Sequence, residues 1–176
     1  MRIVAGDLKG HRLVSPGRSA AVRPTADRVR EALFSILGDV HDATVLDLFC
    51  GTGALAIEAL SRGARHATLV DTRTSLARRN AGRLGVLDRC EIVRGDAVRY
   101  LRRARSRADL IFCDPPYRLA DRLEAELDSL IPARLAEGGR LITESATRRP
   151  LALALPLVAE RRYGDTTIRI HRAPRG

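Results

Sequence analysis

"VLDLFCGTGALAIEAL", residues 45–60, reads as a strand, a glycine turn and a helix in immediate succession. Val45, Leu46 and Leu48 form an apolar run broken only by Asp47. Gly51 and Gly53 supply the turn, and Ala54–Leu60 continue in helical order. From Gly51, "GTGALA" fits the G-x-G-x-x-G/A dinucleotide pattern, and Asp71 lies 20 residues on. A nicotinamide dinucleotide is therefore the first ligand to weigh, and Asp47 decides against it. This carboxylate precedes Gly51 by four residues and should approach the mouth of the loop. A pyrophosphate there would meet a like charge with little water to screen it.

A ligand with an ammonium group would instead be attracted. S-adenosylmethionine carries an ammonium and a sulfonium and no phosphate. The glycines would let the backbone approach its amino-acid part.

Outward from this stretch the pattern is regular. Strands are expected at 44–49, 67–71, 90–94, 108–113 and 139–144, separated by helices at 54–62, 74–85, 96–105 and 119–136. Such alternation predicts right-handed βαβ units around a parallel sheet. Residues 157–163 and 166–172, joined by "YGD", predict an antiparallel hairpin at the end of that sheet. Before residue 43 the rhythm differs. Residues 2–14 predict a short β-hairpin turning at Gly6 and Gly10, and "SPGRSAAVRP" an exposed loop. Thr25 can cap a helix over 26–37 with Val29, Leu33, Ile36 and Leu37 on one face, stopped by Gly38. The chain divides into an N-terminal extension, 1–38, and an α/β domain, 39–176.

Two further acids fall at strand ends. Asp71 closes "ATLVD", where a carboxylate can accept both ribose hydroxyls. Asp96 follows the third strand; it can accept from an adenine amine while the Ala97 N–H faces a ring nitrogen, or simply cap the next helix. The fourth strand ends in "DPPY", 114–117. An exocyclic amine is a poor nucleophile because its lone pair is delocalised into the ring. Two acceptors gripping its N–H groups free that pair. The Asp114 carboxylate is one, and the Pro115 carbonyl, fixed in direction by the prolines, is the other. Tyr117 can stack on a flat base.

Composition bounds the rest. The 176 residues carry a formal net charge of +10, and residues 1–30 alone hold seven basic side chains against Asp7 and Asp27. Arg2, Lys9, Arg12 and Arg23 are the candidate RNA contacts in an extension expected to fold over the site edge. Arg99–Arg107 carries five arginines and is expected as a solvated face on the opposite edge. No apolar run is long enough to span a bilayer and no secretory signal is visible, so a cytoplasmic protein is expected. The three cysteines sit in apolar surroundings and the four histidines show no metal spacing, so no metal is expected. Cys113 beside Asp114 raises a covalent C5-pyrimidine mechanism, but a cysteine ending a buried strand is usually inert.

Residues 45–117, with "DLFCGTG" and "DPPY", resemble the class I S-adenosylmethionine-dependent methyltransferases. "RIVAG…KG", "RPTADRVREALFSIL" (23–37) and "YGDT" (163–166) extend the resemblance, over essentially the whole chain, to the RsmD-type 16S ribosomal RNA guanine-N2 methyltransferases. The resemblance implies a Rossmann-like, seven-stranded, mostly parallel sheet, S-adenosylmethionine as donor, and N2 of a guanine in 16S rRNA as acceptor. It implies that Thr25, Asp47, Phe49, Gly51, Gly53, Asp71, Asp96 and Ala97 line the cofactor site, and Asp114, Pro115 and Tyr117 the amine site. Without a separate RNA-binding domain, the expected substrate is rRNA within a partly assembled small subunit, and nothing demands more than a monomer. Two alternatives stand beside this: another amine (adenine N6 or a protein glutamine amide), and an RNA-binding module without catalysis, against which the intact Asp114, Pro115 and Tyr117 argue.

Overall fold

The computed structural model describes residues 1–15 and 27–174. After α1 (Asp27–Leu37) come β1 (Thr44–Leu48), α2 (Ala54–Ser61), β2 (His66–Asp71), α3 (Ser75–Arg83), β3 (Cys90–Arg94) and α4 (Ala97–Arg103). The chain continues through β4 (Ala108–Cys113), α5 (Tyr117–Leu130), β5 (Leu135–Ala146), β6 (Leu157–Tyr163) and β7 (Thr166–Arg172). One seven-stranded sheet results, in the order β3-β2-β1-β4-β5-β7-β6. Strands β1 to β5 run parallel, and β7 runs antiparallel to both β5 and β6. This is the Rossmann-like class I methyltransferase fold. The direction of winding reverses at β1, which pairs with both β2 and β4. A crevice outside the carboxyl ends of these two central strands is where such sheets take ligands.

Strand periodicity sorts the core into two faces. Val45, Leu69, Phe112 and Ile142 pack with Leu33, Phe34, Ile57 and Leu60 on one side. Leu48, Val70, Ile111 and Leu141 pack with Leu101, Leu127 and Ile131 on the other.

Three expectations need correction. The face of α1 that enters the core is Arg30, Leu33, Phe34 and Leu37, and Ile36 is left exposed. Arg30 can be buried because its guanidinium meets Asp27 at 2.8 Å and the buried Glu58 at 3.8 Å, and donates to the Arg2 carbonyl. Phe34 then packs on Phe112, ring centroids 6.0 Å apart.

The helix expected over 119–136 starts and ends earlier. It begins at Tyr117, inside "DPPY", with Leu119 N–H on the Pro116 carbonyl at 2.7 Å. Pro132 has no N–H to continue the ladder, so the chain tightens into a short 3₁₀ turn, Pro132–Arg134, and β5 starts at Leu135.

The N-terminal hairpin shrinks to one antiparallel bridge, Arg2↔Arg12. Ile3 N–H still donates to the His11 carbonyl, Gly10 N–H to Ile3 and Leu13 N–H to Met1, but three amides of its turn go to α2: Val4 and Ala5 N–H donate to Glu58 at 2.8 and 3.0 Å, and Leu8 N–H donates to Ser61 Oγ at 2.9 Å. Gly6 fits nothing larger, since a Cβ there would lie 1.8 Å from the Ser61 carbonyl oxygen. Thr25, the expected cap, and the loop before it lie outside the described residues.

Candidate active site

The glycine loop is held from below, and among the described residues nothing crowds it at Gly51. Phe49, Gly51 and Gly53 have φ of 60°, 53° and 75°. Phe49 adopts a backbone that non-glycine residues seldom take, and such strain gathers at ligand clamps. Gly53 is required by packing, because a Cβ would come 2.8 Å from Leu69. Among the described residues, the nearest would-be neighbour of a Cβ at Gly51 is the Phe49 carbonyl oxygen at 4.0 Å. A ligand can therefore lie against Gly51.

Asp47 is buried beneath this loop. Its Oδ2 accepts the Ala56 N–H of the first turn of α2 at 3.3 Å, which partly replaces the cap that Gly53 cannot provide. Burial pushes its carboxyl up to about 7, with Asp71 adding to the rise. Asp71 ties the loop to β2, accepting Gly51 N–H at 2.9 Å and Arg73 N–H at 2.8 Å. The amide that a phosphate would need is thus already held by a carboxylate. This geometry suits a cationic ligand and opposes a dinucleotide.

Asp96 precedes α4 and caps it, with Oδ1 on Arg99 N–H at 2.8 Å. Ala97 opens that helix, where backbone N–H groups have no partner within the helix. The exposed Asp96 lies on the same sheet edge as Asp47 and Asp71, one strand further out.

Asp114 follows the last residue of β4, half-buried, with Pro115 buried behind it. Burial raises its carboxyl well above the usual range, and Glu144 and then Asp47 push it further. Tyr117 is half exposed, and its hydroxyl meets Thr166 Oγ1 at 3.1 Å. Thr166 opens β7 just after the turn at Gly164, φ 59°. "YGDT" therefore anchors the Tyr117 ring at the site edge. Burial, then Asp114 and Asp47, push the Cys113 thiol far up, leaving no thiolate for covalent attack.

Two residues beside these groups have no role in the sequence analysis: Glu144, which acts on Asp114, and Thr166, which meets Tyr117. Glu144 was the last residue of the expected strand 139–144, and the acid-at-a-strand-end signal that found Asp71 applies equally to it. Arg23 and Thr25 lie outside the described residues. Arg2 and Arg12 are exposed, and Arg2 pairs with Asp27 at 3.6 Å. Lys9 is also exposed, but its loop docks on Ser61, at the end of α2 remote from the glycine loop. That part of the extension lies away from the site edge, while Val14 is tied through Asn80 Nδ2 to the Thr52 carbonyl of the glycine loop. The Arg99–Arg107 run starts at the site edge with Arg99 and leads away from it along α4. No helix among the described residues is long and apolar enough to cross a membrane.

The family model described as "Conserved hypothetical protein 95" matches residues 1–172. The ribosomal RNA small subunit methyltransferase D of Escherichia coli K12 is 39% identical over 121 residues, which are 67% of this chain and 61% of that protein. The chain belongs to the RsmD-type methyltransferase family. YlbH of Bacillus subtilis strain 168, provisionally named an rRNA methyltransferase, is 33% identical over 98% of each chain. The solved structure of yhhF from Escherichia coli, provisionally named a methyltransferase, superposes with a TM-score of 0.82 at 31% identity. That match covers 100% of this chain and 99% of the other. Similarity to RsmD-type proteins thus includes the N-terminal segment that is stitched to α2.

Proposed function

We propose that this RsmD-type chain transfers a methyl group from S-adenosylmethionine to the exocyclic N2 amine of a guanine in 16S rRNA. One observation carries the reading: Asp47 and Asp114 stand at the carboxyl ends of β1 and β4, neighbours at the point where the sheet reverses. A cation-seeking loop and an amine-gripping motif thereby share one crevice. When bound, S-adenosylmethionine supplies a methyl group on a sulfonium whose sulfur takes the bonding pair as it leaves.

The residues of the chain do the rest. Asp47 faces the ammonium, Asp71 the ribose hydroxyls, Asp96 the adenine amine and Ala97 N–H a ring nitrogen. Phe49, Gly51 and Gly53 shape the loop. Asp114 and the Pro115 carbonyl each accept one amine N–H, aim the nitrogen lone pair, and stabilise the positive charge that grows there; once the N–C bond forms, one of the two N–H protons leaves through the Asp114 carboxylate to water. Tyr117 stacks on the base. Small ribosomal subunits and bare 16S rRNA incubated with tritiated S-adenosylmethionine should yield labelled N2-methylguanosine, faster from the partly assembled subunit. Label found only in adenosine, or only in protein, would overturn the acceptor.

Arg2, Arg12 and Arg23 bind the rRNA backbone in this reading, with Lys9 a more distant contact. Neutralising all four should weaken RNA binding at low salt, and the difference should shrink as salt rises. The Lys9 change alone should account for the smallest part. Equal affinity of the fourfold variant and the parent at low salt would remove this surface from the interface.

A further inference from the structure

Beside "DPPY" the edge of the sheet is built from three segments tied to one another. The Tyr117 hydroxyl meets Thr166 Oγ1 at 3.1 Å, joining the first turn of α5 to the start of β7. The turn after β5 joins both. Thr147 N–H donates to the Asp165 carbonyl at 2.8 Å, and Arg149 Nε meets Asp121 of α5 at 2.8 Å. Three more arginines stand on this rim, all exposed: Arg118 and Arg122 on α5, and Arg148 next to Arg149. Among the described residues, none of the three meets a carboxylate. The nearby acids of α5 have other partners: Asp121 holds Arg149, Glu124 accepts the Ala152 N–H at 2.9 Å, and Glu126 holds Arg102. Asp165, exposed at the β6–β7 turn, offsets part of the charge.

The fold itself opposes these cations. Arg118 lies in the first turn of α5, where the helix dipole is positive and no acid is present. Arg118 and Arg122 are four residues apart, so their like charges share one side of the helix. Cations placed where they cost stability call for an anion from outside. Arg118 directly follows Tyr117, the side chain that stacks on the base in the proposed reaction. We infer that Arg118, Arg122 and Arg148 form a phosphate-binding rim that seats the backbone of the rRNA strand carrying the target base. The inference rests on the rRNA reading above and adds the surface that holds the strand. A guanidinium can grip a phosphate with two N–H groups, and such contacts fix the position of a strand without reading its sequence.

The test is the triple variant Arg118→Gln, Arg122→Gln, Arg148→Gln, set beside a control that loses the same charge, Arg103→Gln, Arg105→Gln, Arg107→Gln. The control residues are equally exposed but precede β4, toward the opposite edge of the sheet. At low salt the rim variant should bind bare 16S rRNA roughly tenfold or more weakly than the parent. The slope of log affinity against log salt should shrink by about two, at about 0.7 for each lost phosphate contact. KM for small subunits should rise while kcat and S-adenosylmethionine affinity hold. The control should stay close to the parent in every measurement. In urea the rim variant should be at least as stable as the parent, because the opposed charges are gone.

Equal losses in the rim and control variants would reduce the effect to net charge and overturn the inference. An unchanged salt slope, or a rim variant less stable than the parent, would overturn it as well. A raised KM on subunits with parental binding to bare rRNA would assign the rim to an acidic protein surface and not to RNA. If the parent methylates no rRNA at all, the underlying reading fails. If the parent methylates rRNA and the rim variant matches it throughout, the inference alone fails.

Discussion

Asp114→Ala is expected to lower kcat for methyl transfer by roughly 10²–10⁴-fold while S-adenosylmethionine still binds. The carboxylate stands at the end of β4 beside the buried Pro115, and in the proposed reaction it serves the acceptor amine rather than the loop that holds the donor. Its effect is concentrated in the transition state, because the charge it stabilises appears on the nitrogen only as the new bond forms. Asp114→Asn is the sharper variant. An amide oxygen still accepts one N–H, so geometry survives while charge is lost, and kcat should fall more than KM for RNA rises.

The pH profile follows from the same environment. Burial, Glu144 and Asp47 all raise the Asp114 carboxyl, and the ionised form is the one that helps. Activity is therefore lost as pH falls through the raised value, and the acid limb lies above where an ordinary carboxylate would put it. Calorimetry for donor binding and single-turnover kinetics on small subunits would measure both halves. Full kcat in the Asn variant would reduce Asp114 to a positioning group. Full kcat in the Ala variant would end the amine-gripping account of "DPPY".

The parallel core was legible because its signal is local. Each of β1 to β4 is a short apolar run bounded by glycine, proline or charge, and the structure places them within a residue or so of the expected limits. What failed depended on distant partners. Arg30 reads as a polar helix position until Asp27 and Glu58 bury it, and that rotates the whole apolar face of α1. The N-terminal hairpin looks self-sufficient until Glu58 and Ser61 claim the amides of Val4, Ala5 and Leu8 from 53 or 54 residues away. The site divides in the same way. Asp47, Asp71, Asp96 and Asp114 lie next to strand ends and could be found by one rule. The Tyr117–Thr166 contact spans 49 residues and needed the β6–β7 hairpin to be in place. The influence of Glu144 on Asp114 needed the β4–β5 register, which no local pattern sets.

Asp47→Asn should stabilise the ligand-free protein above neutral pH and weaken its hold on S-adenosylmethionine. Burial pushes this carboxyl up to about 7, from an ordinary value of 3.8. Between those two values the unfolded chain has released the proton and the folded chain still holds it. The folded state therefore binds more protons, and stability falls as pH rises from about 4 to about 7, then levels off. The displacement corresponds to at most about 4 kcal/mol, all of it present as a penalty above pH 7. Asparagine keeps an oxygen for the Ala56 N–H but carries no charge to bury, so the variant should lose this slope and gain stability at pH 8. Urea unfolding of both proteins at pH 5 and pH 8 would read it directly, and parallel pH dependence in parent and variant would refute it. In the proposed site the same change removes the charged partner of the ammonium, which should cost roughly tenfold or more in donor affinity. A residue that destabilises the empty fold yet tightens binding of a cation is what a ligand site requires, whereas a residue kept only as a helix cap would gain stability as Asn with no loss of binding.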